Sequence, residues 1–158
     1  MPALRVTRSV GSRTDLMKHT LLTALFIAGP LQPALSAHVF TGRDAGNGET
    51  LYQENCASCH GADLEGQPDW RSPGPDGILP APPHDETGHT WHHDTPLLFA
   101  YTKFGGDAAL KARGVTGFNS GMPAFEGTLS DDEILDVLAY IRSTWPEEIQ
   151  RAQDQRSH

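Results

Sequence analysis

The 158 residues hold only two cysteines, Cys56 and Cys59, and no long apolar run, excess of positive charge or β-hairpin signal accompanies them. Each shortage excludes something. A zinc site would need two further ligands at finger-like spacing, and there is no second cysteine pair. A thioredoxin-like redox pair would want a βαβ pattern nearby, and none is present. A structural disulfide stays open, because the chain carries export features. The clearest apolar run, Thr20–Ala28, is interrupted by Gly29-Pro30 and Pro33 and falls short of the roughly 20 residues that a bilayer-spanning helix needs. Twelve lysines and arginines stand against twenty acidic residues, a formal charge of −8, and such a surface repels nucleic acid. With no strand pairing in view, the fold is expected to be all-α.

The N-terminus reads as an export signal. Lys18 and His19 precede the apolar run and Ala34-Leu35-Ser36-Ala37 follows it, which predicts a signal peptide over residues 1–37 with cleavage after Ala37. Met17-Lys18 would begin a compact signal unaided, so residues 1–16 are either a long n-region or an over-extended start. Its alternative is an uncleaved anchor. Cleavage would remove four basic residues and one acidic residue, leaving eight against nineteen and a formal charge of −11. That acidity suits either solubility or docking to a basic partner surface.

The stretch around which the rest is organised is Cys56-Ala57-Ser58-Cys59-His60. Two thiols two residues apart, followed at once by an imidazole, form the attachment signature of a c-type haem. Cys56 and Cys59 can each form a thioether to a vinyl group, and His60 can bind the iron from one face.

After a flexible lead-in at residues 38–44, a first helix is expected from Ala45 to Cys56, delivering the cysteines. Gly46 and Gly48 are poor helix formers, which points to the close approach of another backbone. Residues 61–94 are a long Gly/Pro/Asp/His-rich loop, suited to wrapping a flat apolar cofactor. A second helix is expected at Asp94-Thr95-Pro96, with Thr95 as N-cap, running through Leu97, Leu98, Tyr101 and Phe104 to a stop at Gly105-Gly106. Residues 107–114 add at most a short turn. The third helix opens with a capping box, Ser130 and Glu133, carries Ile134, Val137, Leu138 and Ile141 at helical spacing, and ends at Pro146. The polar tail, 147–158, is expected to fray.

Beyond the signal segment one methionine remains, Met122, in the loop Asn119-Ser120-Gly121-Met122-Pro123. Gly121 allows unusual backbone angles and Pro123 restrains the loop, so the thioether is a candidate sixth ligand. With His60 and Met122 both bound, iron has no open position for a substrate. The site then carries electrons rather than catalysing a reaction.

Over residues 45–146 the chain resembles the class I cytochromes c, small monohaem electron carriers. Gly48 and Tyr52 stand eight and four residues before Cys56, and Val137, Ala139, Tyr140 and Ile141 match the helix that crosses them. The resemblance implies three main helices wrapped around one covalently bound haem c. It implies a close crossing at Gly48 with Tyr52 and Tyr140 beside it, attachment at Cys56 and Cys59, and axial ligation by His60 and Met122. It also implies that a proline carbonyl receives the ring N–H of His60; Pro80, Pro82 and Pro83 are all candidates. The segment from Pro80 to Asp94 resembles a subgroup of exported bacterial members, and Trp91 and Arg71 are separately expected near the haem propionates. The expected function is periplasmic electron transfer between redox partner proteins, with membrane association only through a partner complex or an uncleaved signal.

Three rival functions are open. His84, His89, His92 and His93 lie within ten residues and form a candidate copper or zinc module, although their spacing matches no compact metal motif. A haem left without Met122 ligation would suit peroxide reduction or ligand sensing. The chain also suits the electron-entry subunit of a larger oxidoreductase.

Overall fold

The computed structural model describes residues 39–157; the expected signal peptide lies outside the described residues, as do His38 and His158. Six α-helices and one short 3-10 turn, Thr90–His92, occur among the described residues, and no strand does. No helix among them is long and apolar enough to cross a membrane.

Helix α1, Ala45–Asn55, starts where the Asp44 carboxylate accepts the Asn47 N–H. Cys56 ends it, and α2, Ala57–His60, follows as a single turn. Helix α5, Asp131–Ser143, opens with the expected reciprocal capping box of Ser130 and Glu133. It crosses α1 so closely that a Cβ on Gly48 would lie 2.5 Å from the Asp136 carbonyl carbon and 3.0 Å from Tyr140 Cβ. Tyr52 and Tyr140 flank the crossing with ring centroids 5.6 Å apart. Buried Tyr52, Cys56, Leu64, Val137, Ile141 and Trp145 form one core cluster; Leu129, Ile134 and Leu138 form a second, covered by Phe40, Leu98 and Phe125 among others.

Four expectations about local structure are corrected. Asp94, not Thr95, caps α3, Thr95–Phe104: its carboxylate accepts the Leu97 N–H at 2.7 Å, and Pro96 falls at the second helical position. The glycine pair stops α3 as expected, but residues 107–112 lie in a further helix and not in at most a short turn. Gly105, at φ 82°, turns the chain, and Gly106 begins α4, Gly106–Ala112. The lead-in is tied down by an Arg43–Asp132 ion pair at 2.6 Å and by the Asp44 N–H on Asp136. The tail does not fray: Glu147–Asp154 forms α6. Gln153 is buried there and its amide donates to Thr95 Oγ1 at 2.9 Å and Ser157 Oγ at 3.0 Å, while Arg142 grips both Asp154 oxygens at 2.9 and 3.0 Å. Polar groups that find partners on a neighbouring element dock a helix with little apolar surface.

Candidate haem site

The α1 crossing positions the Cys-x-x-Cys-His turn. The Cys56 N–H continues α1 onto Tyr52 O at 2.8 Å, and the His60 N–H bonds Cys56 O at 2.9 Å, so the two thiols and the imidazole ride on one turn. Cys56 is buried and Cys59 exposed, and neither is in a disulfide; the structural-disulfide alternative is not what the fold adopts. Burial, with Cys59 adding, pushes the Cys56 thiol up to about 11.

The long loop then folds back beneath this turn. The Gly66 N–H reaches His60 O at 2.7 Å, the Gln67 N–H reaches Ala81 O at 2.8 Å, and the His84 N–H reaches Leu64 O at 2.8 Å. Trp145 closes it from α5's end, its indole N–H donating to His84 O at 2.7 Å. Of the three candidate prolines, Pro82 is the one whose carbonyl accepts from His60 Nδ1, at 2.9 Å. This bond assigns the ring proton to Nδ1 and leaves the lone pair on Nε2. Burial holds the imidazole below its usual value, only partly offset by the Pro82 bond, so the ring is neutral, as a metal ligand must be.

Met122 is half-buried on a loop secured from two sides. Its N–H donates to Ser120 Oγ at 3.2 Å and its carbonyl accepts the Gly106 N–H at 3.1 Å. Ser120 is itself held by Tyr101 Oη at 2.7 Å and by Asp107, which accepts its N–H at 2.6 Å. Cys56, Cys59, His60 and Met122 all line one cavity of about 820 Å³, walled by apolar residues such as Leu79, Leu98 and Leu138. That volume is in the range of a cofactor site.

Trp91 and Arg71 do not line it. The Trp91 indole N–H donates to Glu86 O, its ring packs on the Tyr52–Trp145 core, and the Arg71 guanidinium sits 4.0 Å over the Trp70 ring. Of the tryptophans and histidines in the 61–94 loop, Trp70, His84, His89 and His93 line the cavity, and only the tertiary fold separates them from Trp91 and His92. The four clustered histidines are divided: His84 stacks on His60 at 3.9 Å, whereas exposed His92 packs on Trp91. No group of three or more His, Cys, Asp or Glu among the described residues could hold a metal ion.

An all-α fold that presents a Cys-x-x-Cys-His turn and a looped methionine to one apolar cavity defines a class I monohaem c-type cytochrome. The chain belongs to the cytochrome c family, whose model matches residues 45–145. It is similar to cytochrome c6 of Diacronema lutheri, 31% identical over 100 residues that cover 63% of this chain and 95% of that one. It is also similar to cytochrome c-554(547) of Halothiobacillus neapolitanus, 34% identical over 99 residues, 62% of this chain and 93% of the relative. A third relative is the cbb3-type cytochrome c oxidase subunit CcoP of Azospirillum sp. (strain B510), 35% identical over 104 residues; the match spans 63% of this chain but only 29% of that protein. No solved structure gives a significant match.

The family's cofactor is a covalently bound haem c, and the cavity fits it. Two unpaired thiols, a neutral imidazole with its lone pair on Nε2 and a thioether sulfur border a space with apolar walls. The two thiols can bond the haem's vinyl groups, and the imidazole and the thioether are borderline and soft donors of the kind that haem iron accepts.

Proposed function

We propose that this protein is a periplasmic single-electron carrier, with haem attached through Cys56 and Cys59 and ligated by His60 and Met122. The observation that carries this reading is that all four residues, from two segments more than sixty positions apart, line the same cavity. Bound haem supplies a one-electron Fe(III)/Fe(II) couple. The chain's own residues prepare the site for it. Pro82 orients His60 and makes Nε2 a better donor. Tyr101, Ser120 and Asp107 hold the Met122 loop, so little has to move when charge changes. The apolar wall excludes water and favours the less charged ferrous state. With both axial positions taken, no enzymatic role is assigned. The acidic exterior suits a basic docking surface on the redox partner, and residues 1–37 would direct export.

A second role, electron entry into a larger oxidase, is favoured by the similarity to an oxidase subunit; both roles use the same site.

The test is a spectrum of the mature chain made with c-type maturation machinery. The expected result is one covalent haem by pyridine haemochrome, low-spin in both oxidation states, indifferent to carbon monoxide, with the long-wavelength ferric band of sulfur ligation. Met122→Ala should abolish that band and admit carbon monoxide. Retention of the band in the variant would remove Met122 from the ligand set.

A further inference from the structure

Haem carries two carboxylates, which cationic or hydrogen-bonding side chains on the cavity wall could receive. No lysine, arginine, aspartate or glutamate lines the wall. Much of its side-chain polarity is already committed. The Gln67 amide donates to Cys59 O at 2.8 Å, Thr102 Oγ1 to Leu98 O at 3.0 Å, and Tyr101 and Ser120 bond each other. Imidazoles are then the side chains on this wall able to carry positive charge. His60 is held by Pro82, and His84 is stacked flat on His60, with an interplanar angle of 19°. His89 and His93 stand together, edge to face, with centroids 5.3 Å apart. Their ring nitrogens have no hydrogen-bond partner among the described residues. Trp70 backs His89 in a parallel stack at 5.2 Å, and the Arg71 guanidinium covers the same indole at 4.0 Å. A pair of uncommitted imidazoles, buttressed by an indole and a guanidinium, is a carboxylate-binding corner.

We propose that His89 and His93 receive the haem propionates and take up a proton from solvent when the iron accepts an electron from the redox partner. This rests on the cavity being the haem seat. The charged and titratable groups around the pair are few. His89 faces His93, His92, His84 and Arg71; His93 faces His89, His92, Asp94 and Arg113. Partial burial and these cations hold both imidazoles below their usual value, and Asp94, which raises His93, is itself gripped by Arg113 at 2.7 Å through two bonds. An anionic propionate restores proton affinity. Reduction adds one negative charge to the haem and strengthens the attraction, so one electron enters with up to one proton. Reduction is therefore easier at low pH.

The experiment is an equilibrium redox titration of the holoprotein from pH 5 to 8.5, for wild type, His89→Gln/His93→Gln and the control His92→Gln. The wild-type midpoint should fall with pH. At its steepest the redox equilibrium changes up to tenfold per pH unit, about 59 mV for one electron. The double variant should lose more than half of that slope, and His92→Gln, which removes a ring that faces the pair but lies off the cavity wall, should keep the slope. Should the double variant mature poorly, proton NMR titration of the two wild-type rings in both oxidation states gives the same information, and pKa values that do not rise on reduction would overturn the proposal. A flat wild-type profile, or a slope that survives in the double variant, with haem attached, would overturn this proposal alone. Absence of covalent haem would overturn it together with the reading on which it rests.

Discussion

Replacing Gly48 by alanine adds one methyl group where α1 crosses α5. The new Cβ would lie 2.5 Å from the carbonyl carbon of Asp136, nearer still to its oxygen, and 3.0 Å from Tyr140 Cβ. These obstacles are backbone and the root of a side chain, so no rotamer change relieves them; the two helices must part. Overpacking of this kind costs about 1–3 kcal/mol, and a backbone obstacle puts Gly48→Ala at the upper end. Parting the helices also loosens the Tyr52–Tyr140 contact and the bonds from Asp44 N and Asn47 Nδ2 to the Asp136 carboxylate. Against this, alanine is favoured over glycine in a helix by about 1 kcal/mol. The net expectation is a loss of about 2 kcal/mol, or roughly 8 °C in Tm for a domain of this size. Gly46→Ala is the internal comparison. It lies two residues away on the same helix, where a Cβ meets only Asp44 Oδ1 at 3.4 Å, so the propensity gain should appear unopposed, at about 0.5–1 kcal/mol. Guanidinium unfolding of both holoproteins, followed by far-UV circular dichroism, measures the difference. A Gly48→Ala protein as stable as wild type would refute the argument from close approach.

Deleting residues 147–158 removes the Gln153 amide bonds and the Asp154 grip on Arg142; the unfolding free energy should drop by about 3 kcal/mol, and an unchanged midpoint would mean that α6 contributes nothing. Trp145→Phe strands the His84 carbonyl that the indole N–H now satisfies; a loss of about 1–3 kcal/mol is expected by the same unfolding assay, and a neutral result would show that solvent replaces the bond. Burial, with His60 and His89 adding, holds the His84 imidazole well below its usual value. The unfolded chain therefore binds a proton that the folded chain refuses, and this part of the stability is complete above about pH 6.5 and lost as pH falls below it. Unfolding midpoints between pH 7.5 and 5 should decline less steeply in His84→Leu than in wild type; equal slopes would assign the decline to other groups.

What was legible beforehand was whatever a few adjacent residues decide. The Cys56–His60 turn needs only its own spacing to place two thiols and an imidazole together. The capping box of Ser130 and Glu133 and the stripe from Ile134 to Ile141 are complete within single helices, and both appear as expected. The Gly48–Tyr52 spacing was readable through the family resemblance, and the close crossing accounts for the glycine. The Asp94 cap was missed by one residue because Asp and Thr cap almost equally well, and the choice depends on where the preceding backbone turns.

The tertiary structure decided what depends on partners distant in the chain. Pro80, Pro82 and Pro83 are equivalent in sequence; only the return of the loop beneath α2 brings the Pro82 carbonyl within 2.9 Å of His60 Nδ1. Helix α6 has no apolar stripe to announce it, since its buried anchor is Gln153, held by hydrogen bonds from α3 and its own end. Trp70 and Trp91 look alike in sequence, as do His84 and His92, yet one of each pair lines the cavity and the other does not. Residue type and short spacing set the chemistry available to this chain, because covalent attachment and helix capping act over a few bonds. Which carbonyl, imidazole or indole faces the cofactor cavity was set by packing of the whole chain, because those contacts join residues twenty to sixty positions apart.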